Sequence, residues 1–192
     1  MDAFDADALI YAAAPGHPLG QRVAALFRSV APGTMAGIGS VLLLPEVLSR
    51  PLRDGAAEEV RILAGLLARL DLRPVDRATA EMATALSSRY RLKAADATHL
   101  ATAVMMGADR FITNNRRGFP ATITETQVTY PADLPALPGA VAPPRSSHAR
   151  HRALTRVICW GVRQDTRMRS GLATMMAIAL AREVATFSRC PS

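Results

Sequence analysis

The sequence predicts an α/β fold, a parallel sheet with helices on both faces, and three observations carry that reading. Short apolar stretches (LRPV at 72–75, ADRFIT at 108–113, TQVTYP at 126–131) read as strands. Between them lie longer segments whose apolar residues recur at helical spacing. Strands alternating with helices of that length form parallel sheets covered on both faces. Finally, four short segments centred on acidic residues fall at predicted strand ends and helix starts, where open α/β sheets bind ligands.

In chain order, the segment around Phe4 and Ala8–Ala12 reads as a short buried strand running into a loop at Pro15-Gly16. Gln21–Val30 spaces Val23, Leu26, Phe27 and Val30 as one helical face. Gly33–Gly39 reads as a turn-rich connector, with Ser40 as a helix cap before VLLLPEVL. Pro45 lacks a backbone donor, so it bends that helix or marks its true start. Ala56–Leu70 is amphipathic, with Val60, Leu63, Leu66, Leu67 and Leu70 on one side. The strand at 72–75 leads to a helix over Arg77–Tyr90. A further helix over Asp96–Met106 ends at Gly107, and the strands at 108–113 and 126–131 follow. From Pro135 the character changes: PALPGAVAPPRSSHARHR is a linker without period, and a helix near Leu172–Phe187 would have little to pack against. The chain is therefore read as one domain over 1–134 and a basic Pro/Ala/Arg-rich tail over 135–192, expected to be poorly ordered.

Charge and cysteine follow the same divide. Residues 1–137 hold 14 basic and 14 acidic side chains, whereas residues 138–192 hold nine arginines against Asp165 and Glu183, so the whole net charge of +7 lies in the tail. The domain is thus not a basic nucleic-acid module by composition. The tail's arginines fit a nucleic-acid or membrane surface. Its aperiodicity and sudden cysteines and tryptophan fit an unselected extension. Cys159 and Cys190 are the only cysteines, too few for a disulfide framework, so a reducing compartment is expected. No basic stretch precedes an apolar run at the N-terminus, and no apolar run reaches the ~20 residues of a bilayer span. A cytoplasmic protein is the expectation.

The four acidic segments are FDADALIYA (Asp5, Asp7), PEVLSRPLRDG (Glu46), KAADATHLATA (Asp96) and GADRFITNNRR (Asn115). Each has a bland explanation alone. Asp96 serves as an acid at a helix start, favoured by the exposed N–H groups there. Glu46 serves as a helix-surface acid, although Leu44, Val47 and Leu48 around it suggest an inward side chain. An inward carboxylate with no cationic partner is costly unless it binds a metal or is neutralised.

In combination and in this order, the segments resemble the PIN-domain ribonucleases, especially the toxin halves of VapBC-type bacterial toxin–antitoxin pairs. Asp5-Ala6-Asp7 matches that family's D-x-N or D-x-D element, and Glu46-Val47 its E-V element. Asp96 to Ala103 matches its D-A-x-H-L-A-T-A helix start, and Gly107 to Asn115 its G-A-D-x-F-x-T-N-D strand end, except at the last position. The resemblance spans residues 1 to about 134. It implies a three-layer α/β/α sandwich with a central parallel sheet, and a metal-dependent endoribonuclease that is the toxin of a type II toxin–antitoxin system. Asp5, Glu46 and Asp96 would hold Mg²⁺ or Mn²⁺, a hard cation suited to oxygen ligands. Asp7 and Thr113 would support the site, and Asn115 would stand in the place of a fourth acid. An amide oxygen can bind Mg²⁺ but adds no negative charge, which motivates the alternative of a degenerate PIN domain that binds antitoxin or RNA without cleaving. His99 is expected to pack and hydrogen-bond rather than ligate. Lys93, Arg116 and Arg117, with Arg89 and Arg91, are candidates for RNA phosphates. An antitoxin partner and a homodimer are further implications. Asp5-Ala6-Asp7 also resembles the start of haloacid-dehalogenase-type phosphatases, but Lys93 is the only lysine and no paired acid follows it at a strand end.

Overall fold

The computed structural model describes residues 1–14 and 16–135. Among them, five strands form one fully parallel sheet in the order β3-β2-β1-β4-β5. They are β1 (Asp2–Phe4), β2 (Gly37–Ser40), β3 (Leu70–Arg73), β4 (Arg110–Ile112) and β5 (Gln127–Thr129). The helices are α1 (Ala6–Ala13), α2 (Pro18–Arg28), α3 (Leu43–Asp54), α4 (Ala57–Leu67), α5 (Arg77–Tyr90) and α6 (Ala94–Met105), with a 3-10 turn at Pro131–Asp133. This is the helix-flanked parallel sheet that the sequence pattern predicts.

Strand alternation sorts the core into two sides. Ala3 of β1 stands opposite Ile38 of β2 and Phe111 of β4. These three join Leu86 of α5, Leu100 and Ala101 of α6, and Phe119 in one buried cluster. The next residues, Phe4 and Ile112, alternate to the opposite face, where the Phe4 ring lies 4.9 Å from Phe27 of α2. On that side α1 packs against α2, α3 and α4, while α5 and α6 pack on each other. Burying side chains of this size contributes roughly 1.5–3 kcal/mol each.

Several elements differ from the sequence expectation. The strand expected around Ala8–Ala12 is helix α1. Ala6, Ala8, Leu9 and Ala13 are its buried residues, and a short apolar run cannot reveal its period. The connector expected over Gly33–Gly39 runs into β2 from Gly37, and there glycine serves close packing rather than a turn. A Cβ at Gly37 would run into the Asp2 carbonyl and the Phe4 ring. Gly20 serves the same purpose on α2, where a Cβ would collide with the Tyr11 carbonyl of α1. Ser40 ends β2 and does not cap α3; its Oγ accepts the Leu42 N–H at 3.2 Å. Pro45 lies in the first turn of α3, where a missing N–H breaks no helical bond. The strand expected at 72–75 runs from Leu70 to Arg73 instead, just ahead of Pro74, which has no N–H for a ladder. The predicted span of α5 matches the observed one, but α6 begins at Ala94, which makes Asp96 its third residue. The tail expected to be poorly ordered and the helix near Leu172–Phe187 lie outside the described residues. No helix among the described residues is long and apolar enough to cross a membrane.

Candidate active site

All five strands end on one edge of the sheet, and the acidic segments meet there. Asp5 directly follows β1 and caps α1, with Oδ1 accepting the Ala6 N–H at 2.9 Å. Its own N–H donates to the Ile112 carbonyl at 3.0 Å, a bond that continues the β1–β4 ladder. Because Phe4 pairs with Ile112, the next residue on each strand, Asp5 and Thr113, also come together. The Thr113 hydroxyl donates to Asp5 Oδ2 at 2.7 Å. Both Asp5 oxygens are therefore held, and the residue is only 4% exposed. Loss of hydration dominates its chemistry and raises its pKa from 3.8 to about 6. The negative charge of Asp7 adds to that rise, while the Thr113 hydrogen bond and the His99 ring oppose it.

Glu46 lies in the first turn of α3. It does not point into the core: its side chain is 39% exposed, because Val47 and Leu48 take the inward positions. One oxygen, Oε2, is 2.6 Å from Nε2 of His99, whose ring is almost wholly buried. Asp96, half-buried on α6, has its carboxyl pushed up by lost hydration and by the charge of Glu46, with Lys93 and His99 opposing. Asp7 is exposed in the first turn of α1, yet crowding by protein raises its carboxyl, and Glu46 and Asp96 raise it further. Asp7, Glu46 and Asp96, from α1, α3 and α6, thus crowd one another with negative charge, and Asp7 also bears on Asp5. Among the described residues, no Lys or Arg lies within ion-pair distance of Asp5, Asp7 or Asp96.

The other candidates divide. Asn115 donates its backbone N–H to Thr113 Oγ1 at 3.1 Å, and its Oδ1 accepts the Gly118 N–H at 2.9 Å. Its amide therefore closes a local turn. Lys93, at the N-terminal boundary of α6, and Arg117 are exposed. Arg116 is engaged elsewhere: its guanidinium carbon stands 3.8 Å over the Tyr130 ring and one nitrogen lies 3.5 Å from Asp133. Arg89 pairs with Glu125 at 3.0 Å, and Arg91 ends α5 in the left-handed conformation with φ 57°.

Chemically the group is a hard, all-oxygen donor set with excess negative charge, which suits Mg²⁺ or Mn²⁺. Among the described residues, however, no three Asp, Glu, His or Cys side chains are gathered closely enough to hold an ion as they stand.

Residues 3–122 match the family model described as "PIN domain". Among solved structures, a toxin-antitoxin complex from Klebsiella pneumoniae is similar, with a TM-score of 0.53 and 25% sequence identity. The match covers 68% of this chain and 98% of that one. No curated protein matches the chain.

Proposed function

The chain belongs to the PIN-domain family, and from that premise we propose that it is a divalent-metal-dependent endoribonuclease, the toxin of a bacterial type II toxin–antitoxin pair. The observation that carries the reading is Asp5: a carboxylate 4% exposed, raised to about 6, with no Lys or Arg within ion-pair distance among the described residues and with Asp7 beside it, which is itself crowded by Glu46 and Asp96. A site built at such electrostatic cost calls for a dication. Asp5, Glu46 and Asp96 would hold Mg²⁺ or Mn²⁺, with Asp7 beside them. When bound, the ion supplies Lewis-acid activation of water and neutralises charge at an RNA phosphate. The chain's own part is orientation. Thr113 and the Ala6 N–H hold Asp5 still and His99 restrains Glu46, while the exposed Lys93 and Arg117 would draw in phosphates. Arg116, occupied by Tyr130 and Asp133, is the weaker phosphate contact. The similar toxin-antitoxin complex supports a protein partner for this chain, an antitoxin, and we include a homodimer in the proposal.

A structured RNA pool incubated with the full chain and Mg²⁺ or Mn²⁺ tests this. Cleavage that needs the ion and disappears in Asp96→Ala is the expected result. An ion-independent activity, or one that Asp96→Ala leaves intact, overturns it.

One observation favours a second reading, a degenerate PIN domain that binds without cutting. Asn115 stands where the fourth acid is expected, and its amide oxygen is taken by Gly118. Under that reading the native chain is inactive with either ion and Asn115→Asp gains activity.

A further inference from the structure

We propose that His99 is a positioning residue for Glu46: its ring holds one carboxylate oxygen, Oε2, and so fixes the direction in which Glu46 presents its carboxylate to the ion. The inference rests on the metal-dependent reading above and adds to it how one ligand is held.

The geometry comes first. His99 Nε2 and Glu46 Oε2 are 2.6 Å apart, and a carboxylate oxygen only accepts, so the ring nitrogen must donate. The other ring nitrogen, Nδ1, is buried with no hydrogen-bond partner. An unpaired buried lone pair costs less than an unpaired buried N–H, so the ring proton belongs on Nε2, aimed at Glu46. The two partners are also unequal in freedom. The His99 ring is 1% exposed and packed in α6, while Glu46 is a flexible side chain 39% exposed at the rim. The fixed member therefore positions the mobile one. Along α6, Asp96 and His99 are three residues apart and share a face, so one helix face carries a carboxylate and the anchor of another.

Asp5 offers a useful contrast. Both of its oxygens are restrained by groups next to it on the strand ends, Ala6 N–H and the Thr113 hydroxyl. Glu46 has no such neighbour on α3, and its restraint crosses from another helix. Partners of this kind, bonded to a ligand rather than to the metal, typically set 10–100-fold in metal affinity.

The test is Mn²⁺ binding to the full chain, read from the electron paramagnetic resonance signal of the free ion, with RNA cleavage alongside. His99→Leu is expected to weaken Mn²⁺ binding about 10–100-fold, and His99→Gln, which keeps a donor, to recover most of that loss. In a Glu46→Ala background, His99→Leu should cost much less than it does in the native chain. A folded His99→Leu chain that binds Mn²⁺ like the native one overturns the inference and leaves the nuclease reading standing. A native chain that takes up no Mn²⁺ overturns both. Should His99→Leu fail to fold, ¹⁵N imidazole shifts of the native chain decide the matter without it. A protonated Nε2 and a bare Nδ1 on His99, with Nε2 moving on Mg²⁺ addition, support the inference; a bare Nε2 overturns it.

Discussion

The two halves of the acidic site are built by different means. Asp5 stands on the strand half, where ladder register brings Thr113 to its side and places it almost out of solvent. Glu46 and Asp96 stand on the helix half, in the first turns of α3 and α6, with solvent on one side. Backbone pairing thus prepares one carboxylate at a cost in hydration, whereas a side-chain contact from another helix orients Glu46. Asp5 should therefore couple activity to stability, and the exposed Glu46 should not.

The largest effect separates them directly. Asp5→Asn is expected to lower metal-dependent cleavage by at least about 100-fold, the upper end of what partners outside the ligand set cost. The same change should stabilise the metal-free chain at pH 7.5 by on the order of 2–3 kcal/mol, the linkage value of a carboxyl moved from 3.8 to about 6. Glu46→Gln should also reduce cleavage, but its exposed position keeps the stability change within about 0.5 kcal/mol. Urea unfolding of the three chains without metal checks both. Equal stability of Asp5→Asn and native chains would dissolve the distinction between the halves.

The same imbalance gives a pH dependence of known sign. Folded Asp5 holds its proton up to about 6, whereas the unfolded chain loses it near 3.8. The folded state therefore binds more protons in that window, and Asp5's contribution is fully present below about 4 and lost as pH rises through 6. Asp7 and Asp96 are raised as well and act in the same direction. The stability difference between native and Asp5→Asn chains should widen against the native chain from pH 4 to pH 7, and added Mg²⁺ at pH 7.5 should narrow it. A difference that stays flat with pH would mean that Asp5 is not the group responsible.

This division also explains what was legible in the sequence. The segments carrying Asp5, Glu46 and Asp96 stand out because each joins an acid to an apolar run, and the α/β order follows from the alternation around them. The hydrogen bonds that orient the acids were less visible. Glu46 and His99 are 53 residues apart, and Asp5 and Thr113 are 108 apart, so register and helix packing create those contacts. Asp2 and Arg110, a two-bond pair at 2.7 and 2.8 Å across β1 and β4, were hidden for the same reason. The β2 strand was hidden for a different one. Gly37 and Gly39 look like turn residues, but they permit a close approach to Phe4 and Leu43.

A smaller effect probes the bond inside the strand half. Thr113→Val removes the hydroxyl that lowers the Asp5 pKa and that accepts from Asn115. Losing one hydrogen bond to a buried carboxylate costs about 1.5–3 kcal/mol. The carboxyl should rise further, and cleavage should fall about tenfold at pH 6 and less at pH 8, where the higher pH restores the carboxylate. Thr113→Ser, which keeps the donor, should behave like the native chain in both cleavage and pH profile. A Thr113→Val profile that merely drops in parallel at every pH would assign the loss to packing.

The smallest effect concerns the cations beside the site, where Arg116 and Arg117 are adjacent in sequence and differently placed. Arg116 lies over the Tyr130 ring and near Asp133. Arg117 is exposed and has no partner among the described residues. If both met RNA phosphates, each alanine substitution would reduce the salt slope of binding by about one. The structure separates them instead: Arg117→Ala should lower the slope with no change in stability. Arg116→Ala should lower stability by about 0.5–1 kcal/mol, the value of an exposed cation–π contact, and leave the slope nearly unchanged. RNA binding measured across a salt series, with unfolding curves for the same chains, distinguishes the two. Equal slopes for both variants would mean that RNA draws Arg116 away from Tyr130, and that the ring contact belongs to the free protein alone.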